Sequence, residues 1–168
     1  MKSAPILNRP EPIVQLGWFL AYLDHVEVVY MDGRVDDESY ARYVGAVEED
    51  IRARRRRNEC TPVLYHIPQP SAVTAKRRAL LGAVLKQEHA AFATHTCAYA
   101  MVTTSSMVRY GLRVLFWLAP PPYPNAVLSS VRQGFEFLTR YDRSIHPQAM
   151  TERYESLLRE LMPRMGPS

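Results

Sequence analysis

The segment Pro62–Phe92 constrains the fold more than any other part of the chain. Its run VLYHI is short, apolar and uninterrupted, as expected of a central strand buried on both faces. Pro68 and Pro70 follow, and neither can donate to a strand ladder, so pairing stops there. Ser71 or Thr74 then supplies a cap for a helix. Leu80, Leu81, Val84, Leu85, Glu88 and Phe92 recur at helical spacing, so one helix is predicted to run to Phe92. A buried strand, a proline-bounded turn and a helix make a unit of an α/β domain.

The flanking chain repeats this alternation. IVQLGWFLAYLDHVEVVYM predicts two strands, Gln15–Tyr22 and Val26–Met31, turning at Leu23–His25, because aromatic and β-branched residues dominate both arms. Asp36 opens a helix whose first turn carries Asp37 and Glu38, and Tyr40, Tyr43, Val44, Val47 and Ile51 form its apolar stripe. Arg52, Arg54, Arg55, Arg56 and Arg57 lie at its end, where cations suit the negative pole of the helix. They read as a solvated terminus. Cys97–Val102 is a further strand. Met107–Leu118 is apolar almost all round, and its VLFWLA is the strongest core signal in the chain. Three prolines from Pro120 stop it. Ala126–Leu128 is a short strand, Ser130 and Gln133 form a capping box for a helix reaching Arg140, and Thr151–Met162 is a last helix. The expected architecture is α/β: a mixed, mostly parallel sheet of about five strands covered by helices, with an extra C-terminal helix. Residues 1–12 read as a flexible arm, 13–142 as the domain and 143–168 as a helical extension.

Composition narrows the class. A chain of 168 residues that is 47% hydrophobic can bury a full core, and a net charge of +4 is mild. No apolar run approaches the roughly 18 residues of a membrane span. The N-terminus has no apolar signal segment, so a cytoplasmic protein is expected. Cys60 and Cys97 are too few for a disulfide framework or a zinc site, and read as buried thiols in a reducing compartment. No metal or cofactor is expected. No stacking aromatics interleave the arginine run, so nucleic acid is not an expected partner.

Over roughly residues 15–140 the pattern resembles the SpoIIAA-like, or STAS, fold, in its divergent and functionally unassigned bacterial branch. The resemblance is carried by VLYHI, PQPSAVT, AKRRALL and FWLAPPPYP. It implies a regulatory, signalling or protein-interaction role without catalysis, and admits a homodimer. Anti-sigma antagonists of this type carry Asp-Ser-Ser/Thr-Gly at the corresponding helix start. The matching positions here are Val73, Thr74, Ala75 and Lys76, which keep a hydroxyl but neither the acid nor the glycine.

The candidate site is therefore the lip Ser71–Arg78. Lys76, Arg77 and Arg78 occupy a helix's first turn, the wrong end for cations unless an acidic partner or a phosphate docks there. Ser71 and Thr74 are caps first and candidate phosphorylation sites second. Arg109 and Arg113 share one face of their helix and form a secondary anion-binding candidate, against a reading as its solvent edge. His66, ending a buried strand, is the one candidate for catalysis, but no partner for it is visible in the spacing. The leading expectation is a non-enzymatic domain presenting Ser71–Arg78 to a protein partner. The alternatives are a small-molecule or lipid carrier with a pocket lined by Met107–Leu118, and an enzyme using His66.

Overall fold

A computed structural model describes residues 10–69 and 74–166. One sheet of six strands organises the chain: β1 (Ile13–Gln15), β2 (Trp18–Leu23), β3 (Val26–Met31), β4 (Thr61–His66), β5 (Thr96–Val102) and β6 (Asn125–Leu128). Their order across the sheet is their order in the sequence. β1, β2 and β3 pair antiparallel, whereas the β3–β4, β4–β5 and β5–β6 pairs are parallel. Among the described residues, six α-helices accompany it: α1 (Asp37–Arg57), α2 (Ala75–Gln87), α3 (His89–His95), α4 (Ser106–Leu118), α5 (Val131–Leu138) and α6 (Pro147–Leu161). The class is thus the expected mixed, mostly parallel α/β sheet.

The sheet has six strands rather than about five, and Leu16–Gly17 is the reason. Gly17 adopts φ +74°, and a Cβ there would lie 2.7 Å from the Val35 backbone nitrogen. Only glycine turns the chain in that space. The turn cuts Gln15 off from the rest of the predicted Gln15–Tyr22 strand, so that it joins Ile13 and Val14 in β1 while Trp18 onward forms β2. Its ends are fixed by Gly17 N–H donating to the Met165 carbonyl and Asp32 N–H donating to the Gly17 carbonyl.

Each sheet face has its own core. On one, α1 to α3 cover Trp18, Leu20, Val29, Met31 and Tyr65 with Tyr40, Tyr43, Val44 and Val84. Trp18 keeps its indole N–H satisfied by the Ser39 carbonyl at 2.9 Å. On the other, α5 and α6 cover Phe19, Val28, Tyr30, Leu64 and Ala100 with Phe135, Leu138, Tyr154 and Leu161. The last helix therefore completes a core. It begins earlier than the periodicity suggested, with Pro147 in its first turn, where a missing N–H costs nothing.

Three further expectations are corrected. The single helix predicted to reach Phe92 breaks at Glu88, which is buried and pairs with Arg52, so α2 and α3 are separate. Gln133 does not close a capping box on Ser130; its Oε1 accepts from the hydroxyl and backbone N–H of Ser129, while Ser130 caps Gln133 N–H. The cysteines are not free buried thiols. Cys60 is exposed and is disulfide-bonded to Cys97 on the adjacent strand, with Cα atoms 5.3 Å apart.

Candidate functional site

The carboxyl ends of the parallel strands are the place where open α/β sheets bind ligands. Here β4, β5 and β6 lead to the N-termini of α2, α4 and α5, capped by Thr74, Ser105 and Ser130 through their own side chains. The Thr104 hydroxyl donates to the Pro68 carbonyl at 3.0 Å, so the start of α4 adjoins the β4–α2 connection.

The lip is described from Thr74 onward; Ser71 lies outside the described residues. The Thr74 hydroxyl accepts from Arg77 N–H at 3.2 Å. Arg77 is buried. Its Nε donates to Asp37 at 2.8 Å, its Nη2 donates to the Val35 carbonyl at 2.9 Å, and its guanidinium stands over the Tyr40 ring. That side chain ties α2 to the start of α1. The bond from Arg77 holds the Asp37 carboxyl below the usual carboxylate range. Lys76 reaches the same carboxylate at 3.7 Å from an otherwise exposed position, and Arg78 is exposed. The lip's cations thus divide: Arg77 braces the fold, while Lys76 and Arg78 face outward.

His66 ends β4 in a half-buried position. Its Nδ1 lies 2.8 Å from the Tyr154 hydroxyl, and its ring stands edge-on to Tyr30. Burial lowers its pKa to about 4, so the ring is neutral at pH 7. Tyr154, contributed by α6, has its own ionisation pushed up by burial. A neutral imidazole against a protonated phenol forms a hydrogen-bonded pair in the core, and no nucleophile stands beside it in the contacts described. Its partner is 88 residues away in sequence, beyond the reach of any spacing argument.

Arg109 and Arg113 turn back onto the chain. Arg109 Nη1 donates to the Thr103 and Thr104 carbonyls at 2.7 and 2.8 Å, and Arg113 Nη2 donates to the Val127 carbonyl at 3.1 Å. They anchor α4 to the ends of β5 and β6. The arginine run of α1 is likewise drawn to the protein's own acids. Arg52 pairs with Glu48 and Glu88, and Arg57 with Glu59. Arg54 is no solvated terminus: it is buried between Glu27 and Asp50. A cavity of about 40 Å³ adjoins these three residues, room for about one or two waters.

The largest departure from the sequence reading is α4. Its VLFWLA, read as core, contains no buried residue, and neither does the rest of the helix. Val108, Leu112 and Phe116 are half-buried against the body, at i, i+4 and i+8. Met107, Tyr110, Trp117 and Leu118 on the other side are 83%, 73%, 81% and 68% exposed. The helix has two apolar faces, and only one has a home. The signal available in the sequence was the all-round apolarity, which a core helix and a docking helix share.

No family model matches the sequence, and no curated protein or solved structure matches the chain. No described helix is long and apolar enough to cross a membrane.

Proposed function

We propose that the chain is a non-enzymatic regulatory or protein-interaction domain, of SpoIIAA-like architecture, that engages its partner through the outer face of α4 and through the lip from Thr74 to Arg78. The carrying observation is the exposure of Met107, Tyr110, Trp117 and Leu118 on one helix face. Contiguous apolar surface of this kind is costly to leave in water and marks an interaction site on a folded domain. Lys76 and Arg78 add exposed basic side chains in the first turn of α2. Thr74 is the position at which phosphorylation would act: a phosphate there gains from the α2 N-terminus and displaces the hydroxyl's cap to Arg77 N–H.

A photo-crosslinking residue placed at position 110 or 117 tests the reading in native cells. The expected result is a covalent adduct with a polypeptide, absent when the same residue replaces Glu152 on the exposed side of α6. Equal labelling at both places, or no polypeptide adduct at α4, overturns it.

A further inference from the structure

The Cys60–Cys97 disulfide joins β4 and β5 at their amino ends, whereas the lip follows the carboxyl end of β4. Its two sulfurs differ in setting. Cys60 is exposed and precedes the first ladder residue of β4, while Cys97 is half-buried within β5. Thr61 pairs with Thr96 and Pro62 with Ala98, so Cys97 is an extra residue with no opposite number on β4. Pro62 has no N–H to donate, and a slip of the ladder is tolerated at such a place.

The strands are held together without this bond. Neither cysteine belongs to an apolar core. β4 and β5 pair as far as His66 and Val102, and His95 Nδ1 lies 3.0 Å from the Glu59 carbonyl, beside the bridge. Two closed cores in 168 residues are the opposite of a small secreted domain that relies on disulfides for want of a core. A cross-link between strands already joined, with one sulfur in solvent, has the setting of an exchangeable disulfide, since exposed disulfides are the ones that thiols attack.

We infer that Cys60–Cys97 is a reversible redox site, opened and closed by thiol–disulfide exchange while the domain stays folded, with Cys60 the sulfur attacked and Cys97 the resolving sulfur. The reductant is a dithiol. One of its thiolates bonds to Cys60 Sγ, the Cys60–Cys97 bond breaks, and Cys97 leaves as a thiolate. The second thiolate of the reductant then displaces Cys60, and the reductant departs as its own disulfide. Two electrons reach the protein, and the two protons given up by the reductant end on Cys97 and Cys60. In the reverse direction, Cys97 expels a thiol held on Cys60 as a mixed disulfide. The site is independent of the α4 reading.

The test treats the oxidised chain with dithiothreitol in native buffer, alkylates free thiols with iodoacetamide and follows the intact mass. Both thiols are expected to appear at a rate within about tenfold of that in denaturant, because the exposed Cys60 can be attacked without unfolding. The reduced chain is expected to keep its far-ultraviolet spectrum and to melt cooperatively at a lower temperature, and oxidised glutathione is expected to restore the bond. Cys97→Ser, which leaves Cys60, is expected to take up glutathione at least about tenfold faster than Cys60→Ser, which leaves Cys97. Reduction that needs denaturant, a reduced chain that no longer melts cooperatively, or a Cys97 thiol as reactive as Cys60 overturns the inference. Should either variant fail to fold, acid-trapping the mixed disulfide on the wild-type chain decides: glutathione found on Cys97 overturns the inference, and on Cys60 upholds it.

Discussion

α4 and α5 stand on either side of β6 in the sequence, and both are rich in apolar residues, yet they meet opposite fates. α5 buries Gly134, Phe135, Phe137 and Leu138 within eight residues. α4 buries nothing in thirteen. Two glycines show how the backbone decides this. A Cβ on Gly134 would lie 2.7 Å from Leu64 Cδ1 and 3.1 Å from Val102 Cγ2, because α5 rests directly on the sheet. Gly111 faces open space. Apolar composition states that a helix wants cover; the distance of its backbone from the sheet states whether this chain provides it.

The widest separation between the two helices should come from truncating their aromatic side chains. Phe135→Ala is expected to cost about 3–5 kcal/mol of unfolding free energy, since it opens a cavity in a fully buried site. Trp117→Ala, measured where the chain is monomeric, should change it by less than about 0.5 kcal/mol. Denaturant melts of both variants check the pair, and equal costs would erase the distinction.

The glycines should respond with opposite signs. Gly134→Ala forces Leu64 and Val102 to shift and is expected to destabilise by about 1–3 kcal/mol. Gly111→Ala adds helix propensity without a clash and should stabilise the monomer by up to about 1 kcal/mol. Thermal melts at low concentration read both.

The α5–α6 side should also carry the sharper acid response. Folded His66 takes its proton near pH 4, against an ordinary value of 6.5, because burial opposes the charge. Between those values the unfolded chain binds more protons, so stability is present above about pH 6.5 and is lost as pH falls toward 4. Allowing for a half-buried ring, the loss is about 1–2 kcal/mol. His66→Asn should flatten that part of the pH profile, whereas substitutions on the outer face of α4 should leave its slope unchanged. Melts across pH 4–7 decide it.

Much of the architecture was legible because local rules and packing agree in it. VEVVYM and VLYHI lie at β3 and β4, and Asp36, Thr74 and Ser130 cap the helices that follow them. The failures lie where a tertiary contact decides. The Leu16–Gly17 break depends on the approach of Val35, and the break at Glu88 on Arg52, 36 residues away. Arg54 could have been singled out, since it continues the stripe of Tyr43, Val47 and Ile51, and Glu27 within an apolar strand demands a cation. The candidate site was harder to read. Arg77 sits among cations of similar sequence context, and what sets it apart from Lys76 and Arg78 is its burial, with its Nη2 donating to the Val35 carbonyl. The outward turn of α4 had no sequence signature separate from that of a core helix.

The sequential strand order has a consequence for biosynthesis. As the chain leaves the ribosome, each new strand can join the edge of a growing sheet, and the face shielded by α1 to α3 closes early. The opposite face must wait: Phe19, Val28 and Tyr30 lie under helices translated more than a hundred residues later, with Tyr154 and Leu161 among the last to arrive. Until then the nascent domain is a half-roofed sheet, whose bare apolar side is the surface most prone to aggregate.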